Sequence, residues 1–282
     1  MKKTLAEENI IFKELQLNGT VTVKQAMDIL SISEATARRI FTRMESKGIG
    51  VRSHGKISLP NSSLDFYRYD TSNELYVNEK KAIAQLALSV VKDGDVLFLD
   101  SGTTVCIFSM ALADALRQKN LKNIKVFTNS YMIINILNDL AVVNLIGGTY
   151  RPHRKDFCGY LSEKAISDCH FDKCILGTDA YDINSGFTTT DFESAKICET
   201  AIKSSDAAII LMDFHKYGKN ALVSFSNGDN ITAVITDDKI DKQAVKYFYS
   251  IGINVKIAKN DWSGQKKHIK LLTIIILVDT IN

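Results

Sequence analysis

Two sets of residues have types and spacing suited to chemistry. The first begins at Asp100-Ser101-Gly102-Thr103-Thr104, between the apolar run 96–99 and the amphipathic stretch 105–116. Glycine permits close backbone approach. Hydroxyls and the free N–H groups of a first helical turn suit a phosphate. The same turn also serves as a plain helix cap. Lys216 follows Asp213 and offers a cation to an anionic ligand, or simply stands at the surface. Asp191 and Glu193 follow Gly186-Phe187-Thr188-Thr189-Thr190 and suit sugar hydroxyls or the cap of a helix starting near Ser194.

The second set lies in 33–46. Ala37, Ile40, Phe41 and Met44 recur at i, i+3, i+4, i+7 and predict one buried stripe. Ala35, Arg39, Thr42 and Ser46 lie opposite, with Arg38 and Arg43 on the flanks, and Ser33 suits an N-cap. A short basic helix behind a shorter helix and a tight turn is what a DNA major groove accepts.

The histidines are scattered. His54 sits in a turn where phosphate contact and plain exposure are equally open. His153 lies in the basic run Arg151-Pro152-His153-Arg154-Lys155, which closes over a ligand or, more commonly for such a run, is a solvated loop. His215 adjoins Lys216. No Ser/His/Asp order and no metal-ligand spacing emerges, so no catalytic set, metal or cofactor is expected. The five cysteines form no CxxC pair and fit a reduced, cytoplasmic protein.

Composition narrows the class. With 282 residues, 45% of them hydrophobic, the chain suits about two domains. Its net charge of +3 is uneven: residues 1–60 hold 10 Lys+Arg against 6 Asp+Glu, and the rest hold 25 against 26. The basic excess falls on the segment with the arginine helix, where phosphate attraction would arise. The start, MKKTLAEENI, has no apolar core of a signal peptide. The charge-free run 271–278 is well short of the ~20 residues of a membrane span.

The elements that must position these residues follow from periodicity. Helices are expected over about 5–17 and from Val23, capped by Thr22, with a turn at 31–33 before the arginine helix. Residues 51–59 read as two short strands around a glycine turn, a wing beside the helix-turn-helix. Beyond a polar linker at 61–77, apolar runs at 96–99, 124–127, 142–146, 174–176, 207–212, 233–235 and 254–258 alternate with helical patterns such as 80–91 and 105–116. That alternation predicts an α/β domain with a mostly parallel sheet. Its strand ends carry the small and polar residues, where open sheets bind ligands.

Together these features resemble the DeoR-type family of bacterial transcription regulators. The resemblance rests on Val21-Thr22-Val23, Ser33-Glu34-Ala35-Thr36-Ala37-Arg38-Arg39 and Arg52-Ser53-His54-Gly55 in the first domain. In the second it rests on Lys80/Lys81, 100–104, Thr128-Asn129-Ser130, Gly147-Gly148, Phe157-Cys158-Gly159, Gly186-Phe187-Thr188, 213–216 and Thr236-Asp237. It covers about residues 5 to 258. It implies a winged helix-turn-helix domain (1–60), a linker (61–77), a sensor domain with the ribose-5-phosphate isomerase fold (78–258) and a tail of unassigned role (259–282). It further implies a repressor that binds double-stranded operator DNA and a phosphorylated sugar, and that forms a homodimer or homotetramer.

On this resemblance Ser33, Thr36, Arg38, Arg39, Thr42, Arg43, Arg52 and His54 are expected at DNA. Ser101, Gly102, Thr103 and Thr104 are expected at the phosphate, with Asp100, Asn129, Glu193 and Lys216 lining the rest of the pocket. Two departures stand out. Ile40-Phe41 replaces the family's Asp-Leu, and Lys56 replaces the second glycine of the wing. Ile40 falls on the apolar stripe, which points to packing. The competing reading is a sugar-phosphate isomerase with an appended helical domain, in which Glu193 and Lys216 would serve the proton transfer.

Overall fold

A computed structural model describes residues 2–18, 20–47, 49–53, 55–58 and 69–259. The expectations for His54 and for 260–282 lie outside the described residues.

The first domain runs α1 (Lys2–Asn18), β1 (Thr20–Thr22), α2 (Val23–Leu30), α3 (Glu34–Ser46), β2 (Val51–Ser53) and β3 (Lys56–Ser58). Thr22 caps α2 in a capping box: its hydroxyl accepts from Gln25 N at 3.2 Å, and Gln25 Oε1 accepts from Thr22 N at 2.8 Å. Ser31 ends α2 in the left-handed region, φ 51°, and turns the chain into α3. Ile11, Phe12 and Leu15 of α1, Val23 and Ala26 of α2, and Ala37, Ile40, Phe41 and Met44 of α3 form one core. Each large side chain buried there contributes about 1.5–3 kcal/mol. The wing has a third strand that periodicity did not reveal: β1 pairs with β3, giving the order β1-β3-β2. Three residues are too few to show a period of two.

The second unit continues through α4 (Tyr69–Asn73), α5 (Val77–Ala87), β4 (Val96–Leu99), α6 (Thr103–Arg117), β5 (Lys125–Thr128), α7 (Tyr131–Leu137) and β6 (Val142–Leu145). Then come β7 (Thr149–Arg151), β8 (Asp156–Cys158), α8 (Tyr160–Ser167), β9 (Phe171–Gly177), β10 (Ala180–Asp182) and β11 (Gly186–Thr189). The remainder is α9 (Phe192–Lys203), β12 (Ser205–Leu211), β13 (Val223–Ser226), β14 (Ala233–Asp237), α10 (Lys242–Ser250) and β15 (Asn254–Ala258). The segment read as linker therefore holds α4 and the start of α5.

Seven strands form a parallel sheet in the order β15-β14-β12-β9-β4-β5-β6. They are the seven apolar runs of the sequence. Alternate residues feed opposite faces, as the pleat requires. Leu97, Leu99, Ile175, Ile209 and Leu211 pack with Ile83, Val105, Phe108 and Ile133 on one side. Phe98, Cys174, Leu176 and Ile210 pack with Ile166, Ile197 and Phe248 on the other. From β4 the chain winds outward through β5 to β6. From β9 it winds the opposite way through β12 and β14 to β15. The gap between the ends of β4 and β9 is thus the topological switch point, where an open sheet leaves room for a ligand.

The basic run 151–155 is solvated only at Pro152 and His153, which are exposed; its two arginines are held by the fold. It is the turn of the β7–β8 hairpin, with Arg151 paired to Asp156 and Arg154 7% exposed. The acidic partners that bury it sit at 156 and 191, outside the run itself.

Candidate functional site

A cleft of about 260 Å³ opens at the switch point. Its walls come from the turn after β4 (Asp100–Thr104), the turn after β9 (Gly177, Thr178, Asp179), the end of β11 with Thr190, and the segment after β12 (Asp213, His215, Lys216). Lys80 of α5, Arg154 of the hairpin, Ser72 of α4 and Leu75 just after it complete most of the lining. The volume lies below the ~300 Å³ floor of drug-sized sites, so it suits a small metabolite.

The β4–α6 turn is built for an anion. Gly102 occupies the N-cap of α6 and supplies no side-chain cap. The first N–H groups of α6 therefore keep free donor capacity at the positive end of the helix dipole. Thr104 Oγ1 is buried with no hydrogen-bond partner among the described residues. Asp100 steers the turn: its Oδ2 accepts from Gly102 N at 3.3 Å and Gly177 N at 3.2 Å. A Cβ on Gly102 would meet that carboxylate at 3.2 Å, a tight contact that the Asp100 side chain would have to yield to. Burial pushes the Asp100 carboxyl up, against the lowering by these backbone donors. Ser101 Oγ is turned away, donating to Asp156 at 2.9 Å.

Cations face this turn. Lys216 is half-buried and donates to the Thr178 carbonyl. Burial lowers its pKa, while Asp179 and Asp100 counteract. Lys80 donates to the Ser72 carbonyl at 2.6 Å. Burial, with Lys216 second, lowers its pKa to about 7. His215 hydrogen-bonds Asp213 through Nδ1 and stacks on Tyr76 at 3.9 Å. Burial first, then Lys216, Lys219 and Lys80, push His215 down. The ring is therefore neutral at pH 7, with Nδ1–H directed to the carboxylate and Nε2 left as an acceptor. An anion entering here meets charge that the apo protein holds at a penalty.

Of the expected effector residues, the structure brings together Asp100, Ser101, Gly102, Thr103, Thr104 and Lys216. Asn129 and Glu193 are not among the cleft-lining residues. Asn129 follows β5, one strand from the switch point, and is buried with Nδ2 donating to the Phe157 carbonyl at 2.9 Å. Glu193 is exposed in the first turn of α9. Asp191 caps that helix, accepting from Ser194 N at 2.8 Å. Sequence reasoning did not assign Lys80 or Asp179 to the site, and it named Arg154 only within the run that closes over a ligand or is solvated. Lys80 was visible as one of a lysine pair, but only the helix phase of α5 separates it from Lys81.

The second site is the exposed face of α3. Ala35, Arg39, Thr42 and Ser46 are all exposed. Arg39 has no ion-pair or hydrogen-bond partner among the described residues. The other expected DNA residues are partly committed inside the domain. Ser33 caps α3, with its hydroxyl 3.0 Å from that of Thr36. Arg38 pairs with Glu34 at 2.7 Å. Arg52 reaches from the wing to the Thr42 hydroxyl, and its backbone N donates to Glu45 at 2.9 Å. Arg43 is turned inward to Glu8 at 2.9 Å. Ile40 and Phe41 are 0% and 2% exposed, so the departure at these positions serves packing.

Comparison with known proteins gives this pairing a context. The DeoR-like helix-turn-helix domain matches residues 8–63, and the DeoR C terminal sensor domain matches residues 76–238. The chain belongs to the DeoR family. It is 32% identical to the lactose phosphotransferase system repressor of Lactococcus lactis subsp. lactis, over 84% of this chain and 92% of that one. It is 29% identical to the HTH-type transcriptional regulator GlpR of Haloferax volcanii, over 83% of this chain and 90% of that one. A ribose 5-phosphate isomerase from Plasmodium falciparum matches 51% of this chain and 54% of its own, at 20% identity and a TM-score of 0.38. As a DeoR-family transcription regulator, the protein carries its helix-turn-helix and its sensor in one chain. No helix of the described residues is long and apolar enough to cross a membrane.

Proposed function

We propose that this DeoR-family regulator represses a sugar-metabolism operon and that its cleft binds the phosphate of a phosphorylated sugar. One observation carries the reading. The uncapped start of α6, with a Thr104 hydroxyl that has no partner among the described residues, faces a small cleft flanked by the buried Lys80 and the half-buried Lys216. Thr103, Thr104 and the α6 N–H groups hold the phosphate. Lys80 and Lys216 neutralise it, and Asp100, Asp179 and the neutral His215 offer acceptors to sugar hydroxyls. Arg39 and Thr42 read the major groove, Arg52 and the wing contact the backbone, and a homodimer or homotetramer places two α3 helices on an operator.

The competing isomerase reading named Glu193 as base. Its exposed position outside the cleft lining counts against that assignment. We therefore read the cleft as a sensor without turnover. A thermal-shift screen against pentose and hexose monophosphates and their unphosphorylated parents tests this. Stabilisation grows with ligand concentration over Kd. At least one monophosphate raises the melting temperature, its parent sugar does not, and the ester is recovered unchanged. Failure of every phosphate ester to bind refutes the sensor assignment.

A further inference from the structure

The effector cleft is not walled by the sensor unit alone. Phe12, from α1 of the DNA-binding domain, is also part of its lining, next to Ser72 and Leu75. Phe12 is 4% exposed and belongs at the same time to the core that holds α3. One side chain therefore touches both the site where a ligand binds and the domain that meets DNA.

The surroundings fix Phe12 in that place. Lys13, its neighbour on α1, pairs with Glu74 just after α4. Ser72 gives its carbonyl to Lys80 Nζ at 2.6 Å, so the connecting segment is tied to a cleft cation. Tyr76, at φ 52°, stacks on His215 at 3.9 Å. A non-glycine residue in the left-handed region is held there only by its surroundings. Residues 72–76 are thus packed on the rim of the cleft.

The same face of α1 also reaches α3. Glu8 precedes Phe12 by one helical turn and shares its face. It is 4% exposed and takes Arg43 Nε of α3 at 2.9 Å, with Lys47 on its other oxygen. A buried carboxylate between two cations is a stiff link, because separating them leaves a charge uncompensated. Arg43 therefore ties α1 to α3 rather than extending the DNA-facing surface.

We propose that the effector site is composite: a phosphorylated sugar bound in the cleft contacts Phe12 directly, and α1 passes that contact to α3 through Glu8 and Arg43. The inference rests on the sugar-phosphate reading above. Coupling requires that the ligand interact differently with two placements of α1, and a wall residue supplied by the DNA-binding domain provides that difference.

The test uses the full chain, a duplex that the protein selects from a random pool, and the sugar monophosphate giving the largest wild-type thermal shift. In wild type that ester changes the operator Kd by roughly 5–150-fold, the usual range of allosteric coupling. In Phe12→Ala the factor falls to within about twofold of one, and the thermal shift given by the ester shrinks with the lost contact. Phe12 is also a core residue, so a conservative variant gives a second readout. Trp262 is the single tryptophan. In a Phe12→Trp, Trp262→Phe double variant the lone indole at position 12 changes its emission on titration with the ester. A thermal shift without any emission change, or a folded Phe12→Ala with undiminished coupling, overturns the proposal. If no ester shifts the wild type at all, the sugar-phosphate reading itself has failed.

Discussion

Arg39 on α3 and Arg151 on β7 carry the same guanidinium into opposite settings. Arg39 stands exposed with no partner among the described residues. The Arg151 side chain is 13% exposed, forks onto both oxygens of Asp156 at 2.8 and 2.7 Å, and reaches Asp191 at 2.8 Å. Burial disfavours its charge, and the two carboxylates outweigh that and hold it protonated. A cation free of internal partners is available to a polyanion. A cation saturated inside the fold is a strut. Here Arg151 braces the hairpin against α9, where Arg154 and Asp191 adjoin the effector cleft. Available charge and spent charge, rather than charge itself, separate the DNA-facing surface from the scaffold of the sensor.

The comparison breaks most sharply at Arg151. Arg151→Met leaves Asp156, 1% exposed, without its cation and with the Ser101 hydroxyl as its remaining side-chain donor among the described residues. Losing one member of a buried pair costs about 3–5 kcal/mol, and chemical denaturation should show a loss of that order. A loss below about 1 kcal/mol, the range of exposed pairs, would put Arg151 in the same class as Arg39.

The next effect belongs to the cleft. Thr103→Ala with Thr104→Ala should weaken the effector by roughly 10–100-fold, because hydrogen bonds to a charged group contribute about 1.5–3 kcal/mol. Thr104 Oγ1 is already buried without a partner, so its removal should leave the ligand-free protein as stable as before or more so. Calorimetric titration and a melt of the same sample separate the two statements. A double variant that binds as wild type does would remove the threonines from the site.

Arg39→Ala should weaken operator binding by about 1–3 kcal/mol if it reads a base with both nitrogens. Stability should change by no more than ~0.5 kcal/mol, as for other surface positions. Gel shifts and a thermal melt check both. Unchanged operator affinity would shift the reading function to Thr42 and the wing.

The smallest effect is a pH dependence. Lys80 is lowered from 10.5 to about 7 by burial and then by Lys216. Between those values the unfolded chain binds a proton that the folded chain lacks, so this residue makes stability rise with pH across that window. A phosphate beside Lys80 restores its proton. Effector binding at pH 8 should therefore take up protons, and affinity should fall by at most ~10-fold per pH unit above about 7. Calorimetry in buffers of different ionisation heat measures the uptake. Lys80→Met should abolish it, and uptake that persists in that variant would assign the proton elsewhere.

Legibility was uneven for a physical reason. The apolar stripe of α3, the Ser33 cap and the seven apolar runs are local signals, and the fold reproduces them. The motif 100–104 was legible too, because strand, glycine turn and helix are consecutive. Partnership was not legible. Arg151 and Arg154 look solvated until Asp156 and Asp191 are brought to them, and Arg43 looks unpaired until α1 places Glu8 beside it. Glu193 sits two positions from Asp191, yet helix phase sends one to solvent and the other to the arginines.

By itself, then, the sequence determined which elements form, their order, and that a basic helical domain precedes an α/β domain with an anion-suited turn. Periodicity, caps and glycine turns are short-range, so they survive being read along the chain. The tertiary structure alone decided which charges stay available. It set β4 against β9 to open the cleft, buried Lys80 within it, and brought Phe12 of the first domain to the wall of the second. Those outcomes depend on the distance between residues far apart in sequence, and electrostatic strength and burial follow that distance rather than spacing along the chain.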